Sequence, residues 1–399
     1  MRFQIRPVPV RDTEEAYREI EAVGADEKGC LIMAPKAVYR VIRIRGLSPK
    51  QAQVIKQEML ARGGEAAVAR GVIDWSVETT DVLLMGTLGQ LASLVRKLKQ
   101  QPFGLPALAD ELNRVLYHLE VRPALKLDCR GRRLTIGERT LVMGILNATP
   151  DSFSDGGRYL DPEAALERAR AMVSQGADII DLGGESTRPG HEPVGLEEEL
   201  ARVVPVLKRL AGEVKVPISI DTRKPEVAAR ALEIGAHIVN DQSALEDPRM
   251  AETAAAAGAP VILMHYKDVR ESPDMMGDIV SFLDGRIARA EAAGLPREKV
   301  IVDPGLGFGK TPAQNLEVLR NLAALRGLGQ PILIGPSRKS VIGKVLDLPV
   351  DERVEGTAAA VAVGIANGAD IVRVHDVKEM GRVARMADAI ARGWDEENG

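Results

Sequence analysis

Three polar residues, Asp221, Asn240 and Asp303, each end a short apolar run of the kind that forms a buried β-strand. Carboxylate and amide oxygens held at rigid strand ends accept hydrogen bonds, and an amide can also donate them. Such a set can read the edge of a planar heterocycle that carries several N–H donors. Singly, each has an ordinary explanation, because Asp often caps a helix and a buried Asn often bonds its own backbone.

A second set of side chains, Lys339, Arg373 and His375, carries positive charge or N–H donors. Lys339 lies in the run SRKS at 337–340, and the other two lie in the run RVHD at 373–376. Ammonium, guanidinium and imidazole groups are suited to a phosphate or a carboxylate. We expect these cations to face the acceptors from the opposite arc of one site.

Two polar loops, 148–157 and 184–192, follow the first two apolar runs and are placed to close over a substrate. Asn147 ends the first run, and Asp151 lies in the loop after it. Both offer oxygen ligands that could hold Mg²⁺, an ion that usually keeps waters and shares phosphate oxygens.

Eight strand patterns alternate with helical patterns after about residue 122, at 141–147, 177–183, 217–221, 237–241, 260–265, 299–303, 331–335 and 371–375. Their number and spacing predict an α/β fold, a (β/α)₈ TIM barrel, in which all strands end on one face. A doubly wound open sheet is the alternative, but no G-x-G-x-x-G opens the first helix. All eight ends turn polar, which eight independent helix caps do not explain.

Residues 1–121 predict a separate, small α/β N-terminal domain, and 122–399 the barrel domain. Strand patterns lie at 38–45, 65–70 and 80–85, with helical patterns after the first and third. Ser48 and Pro49 have the types expected at the cap and first position of a helix. The domain shows no nucleophile pair, metal-ligand spacing or phosphate loop, so we expect a structural or dimerising role.

Composition excludes several functional classes. The net charge is -4 and aromatic residues make up 3%, which gives no basis for binding nucleic acid or an anionic membrane. Cys30 and Cys129 form no C-x-x-C pair, and no window has the ~18 apolar residues of a membrane-spanning helix. We expect a cytoplasmic, soluble protein. The run GFGKT at 307–311 ends like a phosphate loop, but Pro304 replaces the required first glycine.

Residues 125 to about 393 resemble the dihydropteroate synthase family of folate biosynthesis. The resemblance rests on GILNATPDSFSDGG, GADIIDLGGESTRPG, ISIDTRKPEVA, GAHIVNDQSAL, LMH at 263–265, DPGLGFGK, SRKS and RVHDV, in the family's order. It implies a (β/α)₈ barrel, a homodimer, and a transferase that condenses 6-hydroxymethyl-7,8-dihydropterin diphosphate with 4-aminobenzoate, releasing diphosphate. Residues 1 to about 120 are a departure, and they show no pyrophosphokinase or aldolase signature.

The resemblance also implies residue roles. Asp221, Asn240, Asp303 and Lys339 would hold the pterin, with Met264, Phe308 and Gly335 packed around its ring. Asn147 would bind Mg²⁺, and Arg373, His375 and Thr187 would hold the diphosphate. The 4-aminobenzoate site would consist of Asp151, Phe153, Arg188, Pro189 and Ser340. Catalysis would rest on Asp303, Lys339, Arg373 and His375.

Two other functions are compatible with part of this pattern. A methyltetrahydrofolate:corrinoid methyltransferase shares the barrel and the pterin-binding acids, but it has no use for a diphosphate pocket. A non-catalytic pterin-binding protein would be expected to lack some of Asn147, Asp303, Lys339 and Arg373, yet all four are present. The synthase is therefore the function that the sequence favours.

Overall fold

The computed structural model describes residues 3–148, 161–185 and 194–394. The chain divides into two compact units, Met1–Arg122 and Pro123–Gly399. The boundary predicted from the sequence lies one residue earlier. None of the described helices combines the length and apolar character that a membrane crossing needs.

The first unit is a three-stranded antiparallel sheet, in the order β1-β3-β2, packed against helices. Its elements are α1 (Thr13–Ala22), α2 (Glu27–Ala37), β1 (Tyr39–Leu47), α3 (Pro49–Leu60), β2 (Glu65–Val68), β3 (Thr80–Thr87), α4 (Leu88–Leu98) and α5 (Leu105–Glu120). Ser48 caps α3 as predicted. Its side chain accepts from the backbone N–H of Gln51, and the Gln51 side chain accepts from the backbone N–H of Ser48.

Two helices of this unit, α1 and α2, were not predicted. Asp12 caps α1, and Asp26 caps α2 by accepting from the Gly29 N–H. Pro35 lies inside α2, where a proline removes a backbone donor and normally signals a helix end. That residue obscured the helical pattern.

The second unit is the predicted barrel, and the prediction of a (β/α)₈ fold is confirmed. Its parallel strands are β6 (Leu141–Asn147), β7 (Ile179–Gly183), β8 (Ile218–Asp221), β9 (Ile238–Asp241), β10 (Val261–Met264), β11 (Val300–Asp303), β12 (Leu333–Ile334) and β13 (Ile371–Val374). The sheet order is β11-β10-β9-β8-β7-β6-β13-β12, and a parallel bridge between Val302 and Ile332 joins its two ends.

Helices surround these strands, namely α6 (Pro162–Ser174), α7 (Leu196–Glu213), α8 (Pro225–Ile234), α9 (Pro248–Ala257), α10 (Met275–Ala292), α11 (Pro312–Arg320), α12 (Ser340–Leu346), α13 (Val354–Ala366) and α14 (Val377–Arg392). Helix α11 ends at Arg320, and a 3₁₀ segment at Leu322–Leu328 follows it. The strands carry buried residues on both faces, as expected for a parallel sheet inside a layer of helices.

A hairpin closes the amino-terminal end of the barrel. It consists of β4 (Leu125–Cys129) and β5 (Arg132–Ile136), joined by Arg130 and Gly131, both with positive φ as a two-residue turn of this kind requires. Its inward side chains share one apolar cluster with inward residues of every barrel strand except β8. Because the hairpin fills this end, we expect a ligand to bind at the opposite end, where the carboxyl ends of the strands lie.

Two arginines of the hairpin bond backbone carbonyls at the amino-terminal end of the barrel. Arg130 donates from Nη1 to the Leu232 carbonyl at 2.7 Å and from Nε to the Ala257 carbonyl at 3.2 Å. Arg132 donates to the Val216 carbonyl. These carbonyls lie at helix ends or in the turns that follow, where backbone acceptors lack intrahelical partners.

We predict that Leu127→Ala destabilises the barrel without altering its chemistry. Leu127 is buried in the hairpin cluster, so its truncation should lower the free energy of unfolding by about 2–5 kcal/mol. Urea unfolding measures this loss, and Lys126→Ala, at an exposed position of the same strand, is the matched control. A loss no larger than that of the control would contradict the role of the hairpin.

We also predict a pH dependence of stability from His237, whose Nδ1 accepts from the Ile218 N–H at 3.2 Å. Burial, then the charges of Arg132 and Arg130, lower the pKa of His237 from 6.5 to about 4. The unfolded state therefore takes up a proton first, and this contribution to stability is lost as the pH falls from about 6.5 toward 4, by at most about 1.4 kcal/mol per pH unit.

The variant His237→Asn keeps an acceptor at this position but does not titrate. Its free energy of unfolding, measured in urea at several pH values in this window, should fall less steeply than that of the wild type. Parallel pH curves for the two proteins would show that His237 is not held neutral.

Candidate active site

Arg373 joins three strands across the carboxyl-terminal half of the barrel. Its Nε donates to Oδ2 of Asp181 at 2.6 Å, and its Nη2 donates to Oδ2 of Asp221 at 2.7 Å. Both carboxylates are buried. Burial alone would lower the pKa of Arg373, but the two neighbouring carboxylates raise it, so the guanidinium stays charged. The structure thus places this cation among the acceptors, whereas the sequence predicted it on the opposite arc.

Asp221 has a second partner besides Arg373. Nε2 of Gln242 lies 2.8 Å from each of its carboxylate oxygens. Burial raises the pKa of Asp221 above its ordinary value, and the charge of Arg373 opposes that shift. The site therefore holds an acceptor whose ionisation depends on its cationic neighbour.

Asn240 is oriented by the same carboxylate that holds Arg373. Its Nδ2 donates to Oδ2 of Asp181 at 3.1 Å. An ionised carboxylate only accepts hydrogen bonds, so the amide nitrogen must face Asp181. The amide oxygen of Asn240 is consequently the acceptor that a ligand can use.

Asp303 is fixed at the end of β11 by the loop that follows. Its Oδ1 accepts from the Gly305 N–H at 2.7 Å, and burial raises the pKa of Asp303, opposed by that bond and by nearby cations. Gly305 has φ +68°, and a Cβ there would collide with the carbonyl oxygen of His265. The turn after Asp303 therefore requires glycine.

Lys310 bonds the backbone of the same loop. Its Nζ lies 3.0 Å from the Gly305 carbonyl, 3.0 Å from the Phe308 carbonyl and 3.1 Å from Nδ1 of His265. Burial lowers the pKa of Lys310 to about 8, and it lowers that of His265 to about 3. Because a neutral His265 can accept at Nδ1, this lysine has three acceptors that fix the backbone around Phe308.

Lys339 and Phe308 lie against each other. The Lys339 ammonium is 4.4 Å from the centroid of the Phe308 ring, a cation–π distance. Gly307, with φ +84°, leaves room for the lysine stem, since a Cβ there would lie 3.0 Å from Cδ of Lys339. The apolar face of the Phe308 ring and the positive charge of Lys339 thus lie side by side.

His375 is contacted by the loop that carries Lys339. Ser337 Oγ lies 2.9 Å from its Nδ1 and accepts from its backbone N–H at 3.1 Å. The next residues along each segment pair as well, because Arg338 donates to both carboxylate oxygens of Asp376.

The remaining predicted residues divide into those described and those not. Met264 is buried at the end of β10, Gly335 follows β12, Ser340 is the first residue of α12, and Asn147 ends β6 half-buried. Asp151, Phe153, Thr187, Arg188 and Pro189 lie outside the described residues.

Sequence reasoning missed Asp181, Gln242 and Lys310. Asp181 interrupts the apolar strand IIDLG, and a charged residue in a strand buried on both faces was a usable signal. Gln242 and Lys310 carried no such signal, because they lie in loops where polar residues are ordinary.

The described residues offer few ligands for a metal ion. In the part of the chain that the structure describes, no group of three or more His, Cys, Asp or Glu side chains is arranged to hold one. Asn147 offers a single amide oxygen at a strand end. That donor set fits Mg²⁺ only if phosphate oxygens and water complete the coordination, which is the usual arrangement for this ion.

Comparisons with known proteins agree with this geometry. The pterin binding enzyme family matches residues 143–375. The dihydropteroate synthase of Clostridium beijerinckii is 51% identical over 263 residues, covering 65% of this chain and 98% of the relative. The crystal structure of the Clostridium difficile dihydropteroate synthase in the presence of pteroic acid has a TM-score of 0.63 and 52% identity, covering 64% of this chain and 98% of that one.

A further relative extends the similarity to the first unit. A probable bifunctional folylpolyglutamate synthase/dihydropteroate synthase of Halobacterium salinarum is 43% identical over 395 residues, which is 97% of this chain and 47% of the relative. This chain thus spans about half the length of that protein. Strand order, the placement of polar residues at strand ends and these similarities lead to one assignment: the chain belongs to the pterin binding enzyme family and, within it, to the dihydropteroate synthases.

Proposed function

We propose that this chain condenses 6-hydroxymethyl-7,8-dihydropterin diphosphate with 4-aminobenzoate to give 7,8-dihydropteroate and diphosphate. The observation that carries the proposal is a set of buried acceptors, Asp221, Asn240 and Asp303, next to half-buried cations at one end of the barrel. A neutral, donor-rich ring with an anionic tail matches this combination. The chain's dihydropteroate synthase relatives, one solved in the presence of pteroic acid, support it.

The buried acceptors Asp221, Asn240 and Asp303 would bind the pterin ring by hydrogen bonds. A pterin ring presents an exocyclic amino group and ring N–H groups along one edge, and these would donate to Asp221, Asp303 and the amide oxygen of Asn240. Lys339 would donate to the acceptors on the ring, while Phe308, Met264 and Gly335 would form its apolar surroundings. Since the acceptors are buried and already fixed by neighbours, little ordering is needed when the ligand binds.

The cations would assist departure of the diphosphate. As the bond from the exocyclic carbon to oxygen breaks, negative charge grows on the leaving group, and fixed positive charge stabilises that change most. Arg373 and His375, with Thr187, would hold the diphosphate. Asn147 would be the protein ligand of Mg²⁺, which supplies further positive charge to phosphate oxygens when bound.

Positive charge on the pterin would be balanced from within the barrel. Asp303 lies at the end of β11, and as a carboxylate it would stabilise the pterin cation that forms when diphosphate leaves. The neutral arylamine of 4-aminobenzoate then attacks the same carbon and loses a proton. An uncharged amine is already a nucleophile, so no strong general base is required. Asp151, Phe153, Arg188, Pro189 and Ser340 would form its binding site.

We further propose that the protein is a cytoplasmic homodimer. A groove of about 430 Å³ lies between α11, α12 and α13, and its lining is mostly apolar. Leu316, Val345, Leu346 and Val363 line it and are 42–58% exposed. Covering such a surface is favourable by about 25 cal/mol per Å² of apolar area, and a second copy would supply the cover.

The first assay is release of diphosphate from the pterin diphosphate, with and without 4-aminobenzoate. We expect one dihydropteroate per diphosphate, and an Asp303→Asn variant should lose about 10²- to 10³-fold in kcat because a fixed charge at the reacting centre is removed. Asp178→Asn is the matched control. Asp178 lies just before β7, far from the carboxyl ends of the strands, and its side chain accepts from the Val142 N–H.

Three outcomes of this assay are informative. Normal turnover by the Asp303 variant would contradict its assigned role. Binding of the pterin by the wild type without any product would favour the methyltransferase or the binding protein. A comparable loss in the Asp178 control would show that the effect is one of folding.

A separate prediction concerns the groove. Val363→Asp should convert the dimer to monomers, because a carboxylate buried without a partner opposes association. Sedimentation velocity measures the change, with Val23→Asp in the first unit as an exposed-valine control. A Val363 variant that remains dimeric would place the interface elsewhere.

A further inference from the structure

Two short segments at the mouth of the barrel are paired residue by residue. One is the run SRKS after β12, and the other is the end of β13 with the residues that follow. Ser337 contacts His375 through both the imidazole Nδ1, at 2.9 Å, and the backbone N–H, at 3.1 Å. Ser337 is buried and His375 is half-buried.

The second pair fixes the same two segments. Nε and Nη2 of Arg338 donate to Oδ2 and Oδ1 of Asp376 at 3.0 and 2.6 Å. Arg338 has φ +54°, a left-handed conformation that a residue other than glycine adopts only when its surroundings hold it. Its N–H donates to Thr357 Oγ1 at 3.0 Å, and its carbonyl accepts from Arg353 at 3.1 Å. Ser337 is therefore on a firmly held backbone.

The hydrogen bonds of Ser337 indicate which nitrogen of His375 is protonated. The Ser337 hydroxyl already accepts from the His375 backbone N–H, and its own hydrogen needs an acceptor. Among the described residues, Nδ1 of His375 is an acceptor within reach of that hydrogen, 2.9 Å from the serine oxygen. If Nδ1 instead carried a proton, the buried serine hydrogen would lose that acceptor, at a cost of about 1–3 kcal/mol. The arrangement thus favours a hydroxyl that donates to Nδ1, with the ring proton on Nε2.

We propose that Ser337 is a positioning residue that keeps His375 as an Nε2–H donor toward the departing diphosphate. This inference rests on the proposed synthase function, because it concerns the anion that the reaction releases. A donor in this state serves an anion without first having to take up a proton. The serine acts through the histidine and touches no substrate itself.

The test compares Ser337→Ala with the wild type, using dihydropteroate formation under varied concentrations of each substrate. We expect kcat/KM for the pterin diphosphate to fall about 10- to 100-fold, the effect of one charge-assisted hydrogen bond, with KM for 4-aminobenzoate unchanged. Ser337→Thr, which keeps the hydroxyl, should recover most of the loss. In a His375→Ala background, Ser337→Ala should cost nothing further.

Thr140→Ala is the matched control for loss of a buried hydroxyl. Thr140 Oγ1 bonds Asp388 at 2.8 Å just before β6, at the closed end of the barrel. Its kinetic constants should match those of the wild type. An additive loss in the Ser337/His375 double variant, or a Ser337→Ala enzyme with unchanged kcat/KM, would overturn the proposal. If the wild type itself forms no dihydropteroate, the proposed function fails instead.

A second measurement does not depend on any serine variant folding. Nitrogen-15 NMR of histidine-labelled wild-type protein distinguishes a protonated imidazole nitrogen from an unprotonated one, and His375→Asn assigns the signal. An unprotonated Nδ1 with a protonated Nε2 supports the inference. A protonated Nδ1 overturns it.

Discussion

The buried ionic network of Asp181, Asp221 and Arg373 is the interaction on which the rest of the site depends. One carboxylate oxygen of Asp181 both holds Arg373 and orients the amide of Asn240. Arg373 bonds both buried carboxylates, which lowers the cost of their burial, since an unpaired buried charge costs several kcal/mol. The same contacts therefore stabilise the fold and set the directions of the groups that would bind substrate.

Around this network, neutral polar groups bond the charged side chains. Gln242 donates to Asp221, whose Oδ2 also accepts from Arg373, and Lys310 is held by two carbonyls and a neutral histidine. These partners restrict the side chains to single geometries before any ligand arrives. Electrostatic catalysis depends on such preorganisation, because a site that must rearrange during the reaction loses much of its advantage.

The sequence predicted the barrel and the polar residues at its strand ends because the change from apolar to polar there is a local signal. It could not indicate that Arg373 lies among the carboxylates, since that depends on how the strands are arranged around the barrel. Asp181 was missed although a charged residue inside an apolar strand was a usable signal, and its two partners depend on the same arrangement of strands. Helix α2 was missed because Pro35 argues locally against a helix that tertiary packing supports.

The hairpin of β4 and β5 affects how substrates enter the barrel and how the product leaves it. Among the described residues, the hairpin fills the amino-terminal end of the barrel with apolar side chains, which leaves the end where the strands finish as the side open to a ligand. If the pterin binds deepest, among Asp221, Asn240 and Asp303, the arylamine must enter behind it, and the larger joined product must leave the way both came. The order in which substrates bind would then follow from the plug at the far end as well as from the side chains at the mouth.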